Sequence, residues 1–210
     1  KNRYDSVRPI SMIRYMGGLG QSSDPDGPAY HPEGLPLVPD LIEVVTKETT
    51  MPRGRHEALA GYEGEIAVRS WLGNPANPEA EIGGVGWIRA VDWIPYQRAT
   101  FVTPAFAGFI SGHSTFSRAA AEVLTSFTGS EYFPGGLGEW SFEPDSLEFE
   151  AGPERELKLQ WATFADAADQ AGLSRLFGGI HITADDLAGR KVGFICGSAA
   201  WKRAQLLFGA

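Results

Sequence analysis

The chain has 210 residues, enough for one domain with a substantial core and too few for two comfortable ones. Its hydrophobic fraction of 43% and charged fraction of 21% are those of an ordinary globular protein. A formal net charge of −8 argues against nucleic acid or an anionic membrane as partner. No apolar run approaches the roughly 20 residues of a spanning helix: the best candidate, 192–201, is broken by Gly193, Gly197 and Ser198. The chain is therefore predicted to be soluble. With a single cysteine, Cys196, it can form no intrachain disulfide, and the redox compartment stays open.

In chain order, residues 1–16 read as a short helix and turn, with Lys1 and Arg8 nearly two helical turns apart on one face. Pro9 disfavours helical geometry at Arg8, so this helix is expected to end or bend there. Residues 17–36 form a glycine- and proline-rich loop. Residues 37–97 are mixed, with strand-like composition at 42–46 and 65–69 but weak alternation; the whole of 17–100 reads as a loop-rich insertion. After it comes the clearest helix, in which Phe116, Ala119, Ala120, Val123, Leu124 and Phe127 keep the rhythm of a buried stripe, closed by Gly129. A loop over 129–153 is followed by a predicted helix over 154–171, with Leu157, Trp161, Phe164, Ala165 and Ala168 inward and Gly172 after its end. The last helix is expected from Thr183, whose hydroxyl can cap it, to about Leu207. Asp185 and Asp186 complement its dipole, and Gly189, Gly193 and Gly197 suit a close helix–helix approach.

Three clusters stand out against the acidic background: Lys1-x6-Arg8-Pro9, then Ser111-Gly112-His113, then Ser174-Arg175-x5-His181-x3-Asp185. Together they supply three permanent cations, a hydroxyl, a glycine amide, two imidazoles and a carboxylate. Arg8 and Arg175 offer planar forks, each able to donate two hydrogen bonds to neighbouring oxygens, and Lys1 adds a compact charge. Ser111 and the Gly112 amide sit at the start of the clearest helix, where anions are favoured. Three cations facing one another need a counter-ion, so a resting bound anion is expected. The pattern describes a pocket for one tetrahedral oxyanion, phosphate or a metal oxide of its shape. His31 and His56 match no part of it and read as surface residues. Zinc and calcium ligand spacings are absent.

In order and internal spacing, the three clusters resemble the signature of the vanadium-dependent haloperoxidase and type-2 acid phosphatase (PAP2) superfamily: K-x6-RP, PSGH, SR-x5-H-x3-D. The sequence departs from it only at Ile110, where the pattern has proline. The resemblance implies a mainly α helical bundle of the vanadium chloroperoxidase/acid phosphatase type, with the irregular insertion holding short strands. A single catalytic domain over 1–210 is expected. Because the chain opens on the lysine of the first cluster, we expect it to be the C-terminal part of a longer protein, whose preceding N-terminal segment is a partner of this one.

The resemblance further implies vanadate as cofactor, with phosphate able to occupy the same place. Lys1, Arg8, Ser111, Gly112, Arg175 and His181 would bind it, His181 through the one bond to vanadium. His113 would be the acid–base group, and Asp185 or a backbone carbonyl would orient His181. Phe106, seven residues before His113, matches a halide-site position that is Phe in chloroperoxidase-like members. The expected activity is vanadate-dependent oxidation of halide by hydrogen peroxide to hypohalous acid, which halogenates an organic acceptor. The alternative is a soluble acid phosphatase working through a phospho-histidine. Peroxide, halide and an organic acceptor are then the small-molecule partners. Compartment (secretion included) and a homo-oligomeric state are left open by the sequence.

Overall fold

The computed structural model describes Lys1 and residues 3–209. The chain divides into two compact units, Val7–Thr103 and the remainder, in which Lys1–Ser6 joins Pro104–Ala210. The described residues hold four α-helices and two small sheets, the mainly α fold with short strands that the sequence predicts. No helix among them is long and apolar enough to cross a membrane.

The first helix, α1 (Pro9–Leu19), begins at the residue expected to end one. Residues before it form a turn and an extended stretch, and Arg8 is the N-cap at φ −81°, ψ 155°. Proline does keep Arg8 out of the helical region. But its fixed φ and missing N–H suit the first helical position, where the donor would have no intrahelical partner. The segment carrying Lys1 is therefore non-helical, and the helix lies on the other side of the proline.

Within Val7–Thr103, strands β1 (Ile42–Val44), β2 (Ile66–Trp71) and β3 (Val85–Arg89) form an antiparallel sheet in that order. Val68 stands opposite both Ile42 and Ile88. β2 is central, and both its faces are covered. Ile66 and Val68 pack with Leu35 and Ala90 beneath Ile13 and Met16 of α1, whereas Ala67 packs with Val45, Leu59 and Trp87. Three successive buried residues explain why alternation is weak in the sequence. His56 is not the surface residue expected. It is fully buried, its ring edge-on to Trp87 at 4.6 Å, with Nδ1 3.0 Å from Thr49 Oγ1. Its charged neighbours in sequence face outward while the ring turns into the core.

In the other unit, α2 (Gly112–Thr128), α3 (Phe164–Phe177) and α4 (Thr183–Phe208) pack together beside a hairpin of β4 (Gly138–Phe142) and β5 (Leu157–Trp161). The expected helix over 154–171 is corrected at both ends. Residues 157–161 pair as a strand, and the helix starts at a capping box. Thr163 accepts from the Asp166 amide at 3.0 Å, and Asp166 accepts from the Thr163 amide at 3.0 Å. Gly172 lies inside α3 rather than after it, and a side chain there is excluded because a Cβ would meet Asp186 Oδ1 at 2.3 Å.

α4 does not use Thr183 as its cap. Ile182 is the N-cap, and the Asp185 carboxylate reaches back to the Ile182 amide at 3.4 Å. The glycine ladder works as expected: a Cβ at Gly193 would lie 2.4 Å from Thr115 O, and one at Gly197 would lie 2.5 Å from Ala119 O. α2 itself is correct as a helix but not as a buried stripe. Phe116 and Phe127 are 79% and 73% exposed, and the residues it buries are Ser114 and Ala121.

Candidate functional site

α2 starts where the chain leaves an extended Ser111, whose side chain accepts from the Ser114 amide at 3.3 Å. Ser111 is completely buried, and its amide donates to the carbonyl of Asp185 at 3.0 Å. That bond ties the start of α2 to the start of α4. At Gly112 an added Cβ would meet nothing within 4 Å, so the space beside the first turn of α2 is open. The positive end of the helix dipole is thus presented to whatever occupies it.

His181 arrives through a glycine turn. α3 is closed by Gly178, Gly179 takes a left-handed φ of 70°, and the Ile180 amide returns to the Arg175 carbonyl at 3.1 Å. The His181 ring is buried, and Nδ1 lies 2.8 Å from Asp185 Oδ2. Of the partners left open by the sequence, the structure takes the carboxylate. This fixes the ring and assigns it a direction, with Nε2 the nitrogen on the side away from Asp185.

Arg175, in the last turn of α3, is half-buried and directs Nε to Ser174 Oγ at 2.9 Å. Burial lowers its pKa, the cost of holding a guanidinium among fewer waters. His113 lies on the first turn of α2 with its ring edge reaching solvent, yet its pKa is also lowered. The first cause is loss of hydration around the ring, and the second is repulsion from Arg175. The imidazole is thereby favoured in its neutral form.

Lys1 meets the loop that leads into Ser111. Its three ammonium donors reach the carbonyls of Ala107, Gly108 and Ile110 at 2.8, 3.0 and 2.8 Å. Ser6 holds the same loop, its carbonyl accepting from the Gly108 amide at 2.9 Å and its Oγ from the Phe109 amide at 2.7 Å. Phe106 is 58% exposed, with the Lys1 ammonium 4.9 Å from its ring centroid. One unit therefore carries Lys1, Phe106, Ser111, Gly112, His113, Arg175, His181 and Asp185. Arg8 belongs to the other unit, where it is buried at the N-cap of α1.

Sequence reasoning missed Ser114, Arg190 and Asp169, which are buried or half-buried behind Ser111, and read Asp186 only as a charge for the dipole of α4. The Asp186-x3-Arg190 spacing, one helical turn between opposite charges, is the signal that would have found part of it. Among the described residues no group of three or more His, Cys, Asp or Glu could hold a metal ion. The donors gathered here are of another kind: imidazole, guanidinium, ammonium, hydroxyl and helix amides. Donors of this kind suit an oxyanion rather than a bare cation.

The fold is that of a helical bundle, with Ser111, Gly112 and His113 at the start of α2 and His181 and Asp185 beside the start of α4. The sequence matches, over residues 1–210, the family described as VCPO second helical-bundle domain. The chain belongs to that family, which is one of the vanadium haloperoxidases. Among solved structures it is similar to a holo-type bacterial vanadium-dependent chloroperoxidase, with a TM-score of 0.64 and 18% identity over 97% of this chain and 31% of that one. It is equally similar to the apo-type bacterial enzyme, with a TM-score of 0.64 and 17% identity over 98% of this chain and 32% of that one. The chain thus spans about a third of the length of the structures it matches. No curated protein sequence gives a significant match.

Proposed function

We propose that this chain carries the oxyanion site of a vanadate-dependent haloperoxidase, which oxidises halide with hydrogen peroxide to hypohalous acid for an organic acceptor. The observation that carries the reading is the buried His181–Asp185 pair at 2.8 Å, set in the same unit as Arg175, His113 and the start of α2. A carboxylate on Nδ1 makes Nε2 a better donor to an electrophilic centre, as it does for metal-bound histidines generally. The donor set suits vanadate: His181 Nε2 would supply the single direct bond, and Arg175, Ser111 and the Gly112 amide would hold its oxygens. Bound vanadate supplies a Lewis-acid centre for peroxide without a change of oxidation state.

The chain's own residues do the rest. His113, kept neutral by its surroundings, takes a proton from hydrogen peroxide as it enters. Arg175 balances the charge of the bound oxyanion. Lys1 is committed to three carbonyls, so its ammonium acts on the site through its charge and through the loop it braces. Phe106 stands beside Lys1 as the apolar wall of the halide position. Halide, peroxide and a proton leave as hypohalous acid and water.

The same donors suit phosphate. In that reading His181 Nε2 attacks phosphorus, and His113 protonates the leaving alkoxide and then activates water. One assay separates the two. The full protein is incubated with orthovanadate and given peroxide, bromide and a phenol-dye acceptor. Vanadate-dependent bromination that excess phosphate suppresses is expected, and it should be lost in His181→Ala together with vanadate uptake. Lys1→Ala should bind vanadate more weakly but measurably and lose more in turnover. Phosphate-ester hydrolysis inhibited by vanadate, without bromination, would replace this reading by the phosphatase.

A further inference from the structure

Two adjacent carboxylates open α4, and the site as described uses only the first. Asp186 is 1% exposed and serves a different helix. Its Oδ1 accepts the Ser114 hydroxyl of α2 at 2.6 Å, a length typical of a hydroxyl on a charged oxygen. Arg190, one turn further along α4, holds the carboxylate from the other side, with Nη2 2.7 Å from Oδ2 and Nε 3.1 Å from Oδ1. Arg190 is itself fixed by Asp169 of α3, whose Oδ2 lies 2.6 Å from Nη1 and whose carbonyl lies 3.2 Å from Nη2.

Ser114 has a second neighbour. Its Oγ lies 2.9 Å from Ser111 Oγ, and both serines are 0% exposed. Two glycines make room for this arrangement. A Cβ at Gly172 would lie 2.3 Å from Asp186 Oδ1 and 2.8 Å from Ser114 Oγ, and one at Gly189 would lie 2.9 Å from both the Ser111 carbonyl and Ser114 Cβ. Bare backbone on α3 and α4 thus closes on Ser114 from two sides.

Counting protons gives the arrangement a direction. The Ser114 hydroxyl has one proton and faces two acceptors, while a carboxylate in an ion pair has none to give. When no anion competes, Ser114 donates to Asp186, and Ser111 donates to Ser114. When an oxyanion takes the Ser111 proton, Ser114 turns its own proton to Ser111, and Asp186 keeps Arg190. In either state the Ser111 oxygen has a buried partner, and in the second the two hydroxyls donate in series toward the anion, which strengthens the outer bond.

We propose that Ser114, held by the Asp186–Arg190 pair, is the positioning residue for Ser111, fixing its oxygen at the start of α2 and backing its donation to the bound oxyanion. Asp185 and Asp186 would then be a double clamp, one setting the imidazole and the other the hydroxyl. This rests on the reading that Ser111 contacts an oxyanion, and it deepens that reading by adding the residues behind it.

The test is a double-mutant cycle in anion binding, by titration calorimetry of the full protein with inorganic phosphate and with orthovanadate. Ser114→Ala is expected to weaken both affinities about five- to tenfold, the scale of one hydrogen bond. Ser111→Ala should weaken them at least as much, and the double variant should be no weaker than Ser111→Ala alone. A staple that merely joins α2 to α4 would instead cost affinity again in the Ser111→Ala background, and that additivity would overturn the proposal. So would an unchanged affinity in Ser114→Ala. If Ser114→Ala does not fold by near-ultraviolet circular dichroism, Asp186→Asn enters the same cycle with the same expectation. A wild-type protein that binds neither anion would sink the oxyanion reading itself, and the proposal with it.

Discussion

Gly193→Ala is the substitution whose cost the structure states most directly. The added Cβ would lie 2.4 Å from the carbonyl oxygen of Thr115 and 2.8 Å from Arg118 Cβ. Both atoms belong to or adjoin helix backbone and have no rotamer to yield. To restore ordinary contact, α2 and α4 must part locally by about 1 Å, in an interior packed like a crystal. Overpacking of this kind costs ~1–3 kcal/mol, and backbone contact puts it at the upper end. Alanine in place of glycine returns about 1 kcal/mol of helix propensity. The net expectation is a destabilisation of about 1–2 kcal/mol, a fall in Tm of roughly 2–8 °C for a chain of this size. Urea unfolding of wild type and variant reads it as a lower midpoint at unchanged slope. A variant as stable as wild type, or more so, would show that propensity outweighs packing here and would refute the close α2–α4 approach.

Buried His56 should make the protein acid-sensitive. Its pKa is lowered, first by burial, against the opposing charge of Glu43 3.6 Å away and with help from Arg55. As pH falls through the unfolded histidine value of about 6.5, the unfolded chain takes the proton first, so stability declines toward acid and is full above that value. His56→Phe should flatten the dependence of the urea midpoint between about pH 7.5 and 5 relative to wild type; parallel profiles would contradict it. Arg175→Met should raise the pKa of His113, followed by its ring-proton shifts, and only in part because burial is the larger cause. No change would remove the coupling between the two. Thr163→Ala removes the side-chain half of the α3 capping box and should cost about 1 kcal/mol in urea unfolding; a cost near zero would mean that the paired strand ahead of it, rather than the cap, sets where α3 begins.

Lys1, Ser111, His113, Arg175, His181 and Asp185 are named as candidates through the resemblance that the three clusters carry, and the structure sets all six in one unit. The His181–Asp185 contact was readable as one helical turn, although nothing in the sequence could choose between that carboxylate and a backbone carbonyl. Asp186 was read only as a charge for the helix dipole. Its partner Ser114 lies on α2, 72 residues earlier, and a contact across helices leaves no mark in local periodicity. The helix over 164–177 was misplaced because Leu157, Trp161, Phe164 and Ala168 sit at helical intervals across a strand and a helix. The capping box at Thr163 and the alternation of Leu157, Leu159 and Trp161 were the local signals that should have outranked that rhythm.

α2 shows why the same periodicity can be right about a helix and wrong about its interior. The stripe from Phe116 to Phe127 predicts the helix correctly, but the face turned to α4 is set by Gly189, Gly193 and Gly197. Where bare backbone on one helix meets backbone oxygens and Cβ atoms on the next at such distances, there is no volume for a phenylalanine. The buried positions of α2 must then be small, and they are Ser114 and Ala121. Close approach also brings the polar groups of α2 within hydrogen-bond reach of α4, which a layer of large side chains would prevent. The Ser111 amide can meet the Asp185 carbonyl, and the Ser114 hydroxyl can meet Asp186, only because the helices nearly touch. Glycines that look like packing detail in the sequence are, in this reading, what allows two carboxylates on one helix start to organise the donors at another.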